Sequence, residues 1–200
     1  MAKLYFKYGA MGSSKTAQAL ITRYNYEEND MKTWLIKPSA DTRDGAAILR
    51  SRIGLEAEVE VMSPQTNIYD RFRDTQAGKC RVIIVDECQF LTETQIDQLR
   101  SIVDDFGIAV LCFGLRTDFQ THLFPGSRRL MEVADAIQEI KTMCDCGAKA
   151  TDNARINDGY IVTEGAQVVL GGNDSYIAMC HRCYVRGIRE HKKIKLHGQD

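Results

Sequence analysis

Residues Gly9-Ala10-Met11-Gly12-Ser13-Ser14-Lys15-Thr16 restrict the possible folds more than any other stretch of the chain. They stand between a short aromatic-rich run, residues 3–8 (KLYFKY), and a segment of helical pattern, residues 15–28. Strand, glycine-bearing turn and helix in that order form a phosphate cradle, written G-x-x-x-x-G-K-[ST]. Seven of the eight positions comply, and Ser14 stands where the pattern has glycine. The helix N-terminus offers oriented N–H groups and partial positive charge to an anion. Lys15 is placed to reach the β- and γ-phosphates of a nucleotide, and the Thr16 hydroxyl to ligate Mg2+. The competing reading is a Ser/Gly turn in which Ser14 simply caps the helix.

Downstream the pattern alternates. Residues 33–37 read as a strand ended by Pro38, and 39–66 as polar loop with a little helix. Residues 67–77 read as helix, 81–85 (RVIIV) as a strand buried on both faces, and 92–105 as helix. Residues 108–113 (IAVLCF) give another buried strand, 127–134 a helix and 136–142 a last strand. On the first helix, Ala17, Leu20, Ile21 and Tyr24 are expected on the buried side. Strands alternating with helices predict an α/β fold, a P-loop (RecA-like) parallel sheet with helices on both faces. The pattern changes near Cys144, so a nucleotide-binding domain is predicted over 1–143. A small zinc-binding domain, with a lasso-like loop over the substrate and a C-terminal helix, is predicted over 144–200.

A chain of 200 residues, 44% apolar and 26% charged, has enough material for one such core. Net charge is −1 with no basic stripe, which argues against nucleic acid as the main partner. No apolar run reaches membrane-spanning length and the N-terminal residues show no signal-peptide pattern, so no membrane partner and a cytoplasmic location are expected. Cys80, Cys88 and Cys112 lie in or beside apolar strands and read as core filler.

The strand Val82-Ile83-Ile84-Val85 ends in two carboxylates, Asp86 and Glu87. Ligands of open α/β sheets bind at the carboxyl ends of strands. Asp86 there suits Mg2+, and Glu87 suits a general base acting on a hydroxyl or on water. Two solvated acids at a loop start would look the same, and the phosphate loop is what sharpens the pair. A water-activating Glu87 would fit a DNA-linked P-loop ATPase with a zinc ribbon equally well.

The remaining cysteines form two close pairs, Cys144-x-Cys146 and Cys180-x-x-Cys183. Two such pairs read as a tetrahedral, structural Zn2+ site, with His181 a bystander. Residues 147–179 are Gly-rich with little apolar surface, so zinc is expected to close them into a loop over a small substrate.

GAMGSSKT, DTR at 41–43, DECQF at 86–90, GLRTDF at 114–119, the cysteine pairs and VVLGGNDSY at 168–176 occur in an order that resembles the small, zinc-containing thymidine kinases in their bacterial form. The resemblance covers nearly the whole chain. It implies transfer of the ATP γ-phosphate, with Mg2+, to the 5′-hydroxyl of thymidine, with deoxyuridine a further acceptor. It implies Glu87 as catalytic base, with Gly9 to Thr16 and the stretch Asp86, Glu87, Cys88 and Gln89 binding ATP. It also implies that Phe90 and Phe119 pack on the thymine, with Met11 and Tyr176 beside the nucleoside. Backbone groups around Val169, Gly171 and Gly172 would read the pyrimidine edge, and Asp41 and Arg43 would lie near the active site. Feedback inhibition by dTTP and a homotetramer come from the same resemblance. Ser14 departs from the family's glycine and leaves a catalytically silent nucleotide-binding protein as a third reading.

Overall fold

The computed structural model describes residues 2–41, 47–168 and 175–194. Strand β1 (Leu4–Tyr8) leads through the phosphate loop into helix α1 (Lys15–Glu27) and then β2 (Thr33–Pro38). A hairpin of β3 (Ile48–Arg50) and β4 (Glu56–Glu58) precedes β5 (Glu60–Met62) and α2 (Ile68–Thr75). Strand β6 (Val82–Val85) ends in a short helical turn, Cys88–Phe90, followed by α3 (Glu93–Phe106). Then come β7 (Ala109–Gly114), α4 (Pro125–Val133) and β8 (Ala136–Glu139).

The main sheet has six strands in the order β5-β2-β6-β7-β1-β8, with every described pairing parallel. The continuous apolar runs follow from this, because each central strand is covered on both faces. On β6, Ile83 and Val85 join one core and Val82 and Ile84 the other, and β7 divides Val110 and Cys112 from Leu111 and Phe113 in the same way. Alternate residues of a strand point to opposite faces, so one run feeds two cores. The larger core also takes Phe72 from α2, Ile96, Leu99 and Ile102 from α3 and Leu130 from α4, and the other takes Ala19 and Leu20 from α1. The α/β parallel architecture and the core placement of Cys80, Cys88 and Cys112 agree with the sequence.

Three local expectations are corrected. Residues 39–66 form no helix among the described positions; they supply the β3–β4 hairpin and the edge strand β5. Each strand is three residues long, too short for an alternating pattern to stand out. On α1 the buried face centres on Ala19 and Leu20, while Ile21 and Tyr24 are exposed. The apolar residues outnumber the sites the sheet can cover, so the outer ones stay in solvent.

The third concerns residues 147–179. They contain β9 (Asp152–Asn157), β10 (Tyr160–Ile161) and β11 (Ser175–Met179), an antiparallel sheet in the order β10-β9-β11. With helix α5 (His181–Arg189) it builds a small core from Cys144, Ala150, Ala154, Ile156, Met179 and Tyr184. Part of the segment therefore orders by ordinary burial, which the low apolar content had seemed to preclude. Among the described residues no helix is long and apolar enough to cross a membrane.

Candidate active site

The site is assembled at the carboxyl ends of β1, β2, β6 and β7. Gly9 follows β1 directly, its N–H donating to Gly114 O at 3.2 Å. A Cβ at Gly9 would lie 2.4 Å from Ile140 O and from Ser13 Oγ, so only glycine fits. Gly12 takes φ +75° and Ser14 φ 61°, ψ 27°. The left-handed conformation is what a glycine before the lysine provides, and Ser14 adopts it at a cost of about 1–2 kcal/mol. Its side chain makes no capping hydrogen bond, so the helix-cap reading fails. Lys15 folds over the loop, its Nζ donating to Gly9 O at 3.1 Å, Ala10 O at 2.9 Å and Ser13 Oγ at 3.3 Å.

Thr16 Oγ1 donates to Asp86 Oδ2 at 2.8 Å, joining α1 to the end of β6. Burial, and then the neighbouring Glu87 charge, push the Asp86 carboxyl up from 3.8 to about 7. A desolvated carboxylate beside a hydroxyl is an all-oxygen donor pair, which suits Mg2+.

Glu87 is also left-handed, with φ 49° and ψ 37°, an uncommon state for a side-chain-bearing residue and one concentrated at functional sites. Gln89 Nε2 donates to Glu87 Oε2, while Gln89 Oε1 accepts from Leu115 N–H at 3.0 Å. One buried amide thus ties the acid to the loop after β7. Gly114 makes room, because a Cβ there would lie 2.5 Å from Gln89 Oε1 and 2.6 Å from Cys88 Sγ. Cys88 itself is core, its thiol pushed well above the usual range by burial and by Cys112.

Two adjoining cavities meet here. One, of about 560 Å³, is lined by Met11, Gly12, Ser14, Lys15, Thr16 and the β3–β4 hairpin around Arg52. The other, of about 160 Å³, is walled by Gln89, Phe90, Phe119, Phe124 and Tyr176 among others. Met11, Asp41, Glu87 and Leu115 line both. Asp41 is buried and ion-paired with Lys37 at 3.6 Å. Phe90 and Phe124 meet edge to face at 5.6 Å, and the Arg155 guanidinium covers the Phe119 ring at 3.6 Å. Cys88 lines neither cavity, and Gln89 belongs to the apolar one rather than to the phosphate side. Arg43, Val169, Gly171 and Gly172 lie outside the described residues.

The sequence reading missed the residues that join the small sheet to the site. Asn153, on β9, accepts from Met11 N–H at 2.7 Å and donates to Thr117 O at 3.1 Å. Tyr184, on α5, donates to Phe119 O at 2.7 Å. Gln167 donates to Asp118 Oδ2 at 2.9 Å. Such contacts span dozens of residues and leave no local motif. Arg52, on the turn of the β3–β4 hairpin, also lines the phosphate-loop cavity without belonging to any local motif.

The Sγ atoms of Cys144, Cys146, Cys180 and Cys183 all lie within 4.8 Å of one another, with Cys146 and Cys180 at 3.7 Å. A tetrahedral Zn2+ with Zn–S bonds of roughly 2.3 Å has S···S edges of about 3.8 Å, so the cluster fits that ion. His181 pairs through Nδ1 with Asp152 at 2.8 Å and stays outside the cluster, as expected.

Fold and site together define an α/β P-loop protein with an acidic strand end and a four-cysteine cluster able to hold a metal ion. The profile of the thymidine kinase family ("TK: Thymidine kinase") matches residues 2–184. The thymidine kinase of Legionella pneumophila (strain Lens) is 46% identical over 190 residues, 94% of this chain and 91% of that one. Those of Haemophilus influenzae (strain ATCC 51907) and Jannaschia sp. (strain CCS1) are 44% and 43% identical. They cover 92% and 91% of this chain, and 96% and 94% of their own. The Pif1 helicase of Candida albicans overlaps 71% of this chain and 36% of its own at a TM-score of 0.43 and 13% identity, too slight a likeness to bear on function. The chain belongs to the thymidine kinase family, and it is a kinase.

Two outcomes follow from this geometry. Ser14→Gly should be at least as stable as the parent in thermal unfolding, and Ser14→Val should lose several degrees, because a β-branched residue is most strained at this φ. A stabilising cap would instead make Ser14→Gly the less stable. The raised Asp86 pKa means that its contribution to stability is full below about pH 4 and is lost as pH rises through about 7. Ligand-free, Mg2+-free Asp86→Asn should therefore match the parent in Tm near pH 4.5 and exceed it by a few degrees at pH 8.

Proposed function

We propose that the protein transfers the γ-phosphate of Mg-ATP to the 5′-hydroxyl of thymidine, giving dTMP, with deoxyuridine a further acceptor. The observation that carries this is the position of Glu87 on the wall shared by the phosphate-loop cavity and the aromatic one. A base at such a boundary can meet a hydroxyl from one side and a phosphoryl group from the other. The rival reading, a DNA-linked ATPase, offers no use for an aromatic cavity beside the base.

In this reading Gly9 to Thr16 cradle the donor phosphates through loop N–H groups, and Lys15 leaves its loop carbonyls to meet them. Thr16 and Asp86 would hold Mg2+, which would supply charge neutralisation at the donor phosphates. Arg52 adds positive charge from the hairpin. Phe90, Phe119 and Tyr176 accept the flat base, with Met11 beside it and Asp41 on the wall of both cavities. Backbone groups around Val169, Gly171 and Gly172 read the pyrimidine. Glu87, held by Gln89, takes the proton of the 5′-hydroxyl as its oxygen bonds the γ-phosphorus and the bond to ADP breaks.

The two joined cavities also suit dTTP as feedback inhibitor, its base in the aromatic cavity and its phosphates in the other. The same reading divides the chain into a nucleotide-binding domain, 1–143, and a zinc-binding domain, 144–200, with Zn2+ structural at Cys144, Cys146, Cys180 and Cys183. It includes a homotetramer, for which the exposed Ile21 and Tyr24 of α1 offer apolar surface, and a cytoplasmic location, which suits reduced thiols.

Glu87→Gln keeps shape and hydrogen bonding but cannot take a proton. Its kcat should fall by about 10²–10⁴-fold while thymidine affinity stays within a few-fold, read by steady-state kinetics and equilibrium binding. Near-parental kcat would remove Glu87 from the base role.

A further inference from the structure

Thr117 leaves the loop after β7 and forms an isolated antiparallel bridge with Leu123. It is 6% exposed, and its Oγ1 is buried with no hydrogen-bond partner among the described residues. A buried hydroxyl left unpaired is costly, because it gives up water and gains nothing in return. Where a folded protein keeps one, a ligand or bound water commonly completes it.

The surroundings narrow the choice. Thr117 lines the aromatic cavity and not the phosphate-loop cavity. The other polar side chains buried in that wall are already engaged. Gln89 uses both ends of its amide, on Glu87 and Leu115. Asn153 does likewise on Met11 and Thr117 O. Asp118 accepts from the N–H groups of Gln120 and His122 and from the Gln167 amide. Around them are Phe90, Phe119 and Phe124, which offer faces and edges but no hydrogen bonds. A site of this kind sorts its ligands by a few placed polar groups.

We propose that the Thr117 hydroxyl hydrogen-bonds the pyrimidine ring of the bound nucleoside and is a specificity-determining contact. The inference rests on the thymidine-kinase reaction proposed above. The ring offers two carbonyl acceptors and one N–H donor, and a hydroxyl can answer either kind. Binding satisfies an atom that the empty protein leaves unsatisfied, so the cost in the free state becomes selectivity in the bound one. Losing the hydroxyl therefore has opposite effects on the two states, which a purely structural role would not produce.

The test compares the parent, Thr117→Val and Thr117→Ser. It reads steady-state kinetics with thymidine and Mg-ATP varied in turn, thymidine binding at equilibrium, and thermal unfolding of the ligand-free proteins. Valine keeps the shape and removes the hydroxyl; serine keeps the hydroxyl. For Thr117→Val the thymidine KM and Kd should rise about tenfold, the Mg-ATP KM should stay within about twofold, and Tm should hold or rise. Thr117→Ser should keep a thymidine KM within about threefold of the parent. An unchanged thymidine KM in Thr117→Val overturns the proposal, as does an equal rise in both variants. A joint rise of both KM values with a lower Tm also overturns it, marking Thr117 as structural. A parent protein that phosphorylates no thymidine overturns the underlying reaction, and this contact with it; an active parent with insensitive variants overturns the contact alone.

Discussion

Parallel pairing of β6, β7 and β1 is the constraint on which the rest depends. It aligns the carboxyl ends of the three strands, so that Gly9, Asp86 and Gly114 arrive at one edge of the sheet. Once there, the contacts are short and specific. Thr16 donates to Asp86, Gly9 to Gly114 O, and Gln89 bridges Glu87 and Leu115. Two glycines keep these elements close, since side chains at Gly9 or Gly114 would overlap neighbouring atoms. The strained conformations at Ser14 and Glu87 are held by that close packing, as strain at a working site requires.

The small sheet has its own core and a cysteine cluster matched to zinc, but its contacts with the site give it a second task. Asn153 stands on β9 opposite Ala178 of β11, and β11 runs into Cys180. A path of ladder hydrogen bonds and one amide thus leads from the cysteine cluster to Met11 of the phosphate loop. Tyr184 makes a second path, from α5 to Phe119. These two links give a physical reason for a knuckle beside the main domain: it braces both cavities.

Much of this was legible in the sequence. The phosphate loop, the acidic end of β6 and the two cysteine pairs are local patterns, and local geometry enforces them. RVIIV could be read as a buried strand because both faces are covered. Residues 39–66 were misread because three-residue strands carry too little periodicity. Ile21 and Tyr24 were misassigned because helical spacing gives a face, not the width of surface available to cover it. Asn153 and Gln167 were invisible because their contacts, with Met11 and with Asp118, join residues far apart in the chain and form only on folding. Ser14 went the other way: the sequence showed the departure, and the φ of 61° shows what that departure costs.

The reaction proposed for this site is phosphoryl transfer to a nucleoside. The direct measurement is the fate of the label when the protein is incubated with γ-labelled ATP, Mg2+ and thymidine, beside parallel reactions with DNA in place of thymidine. Label should appear in dTMP, depend on thymidine and show no stimulation by DNA. Label released to water without thymidine, at a rate raised by DNA, would contradict it.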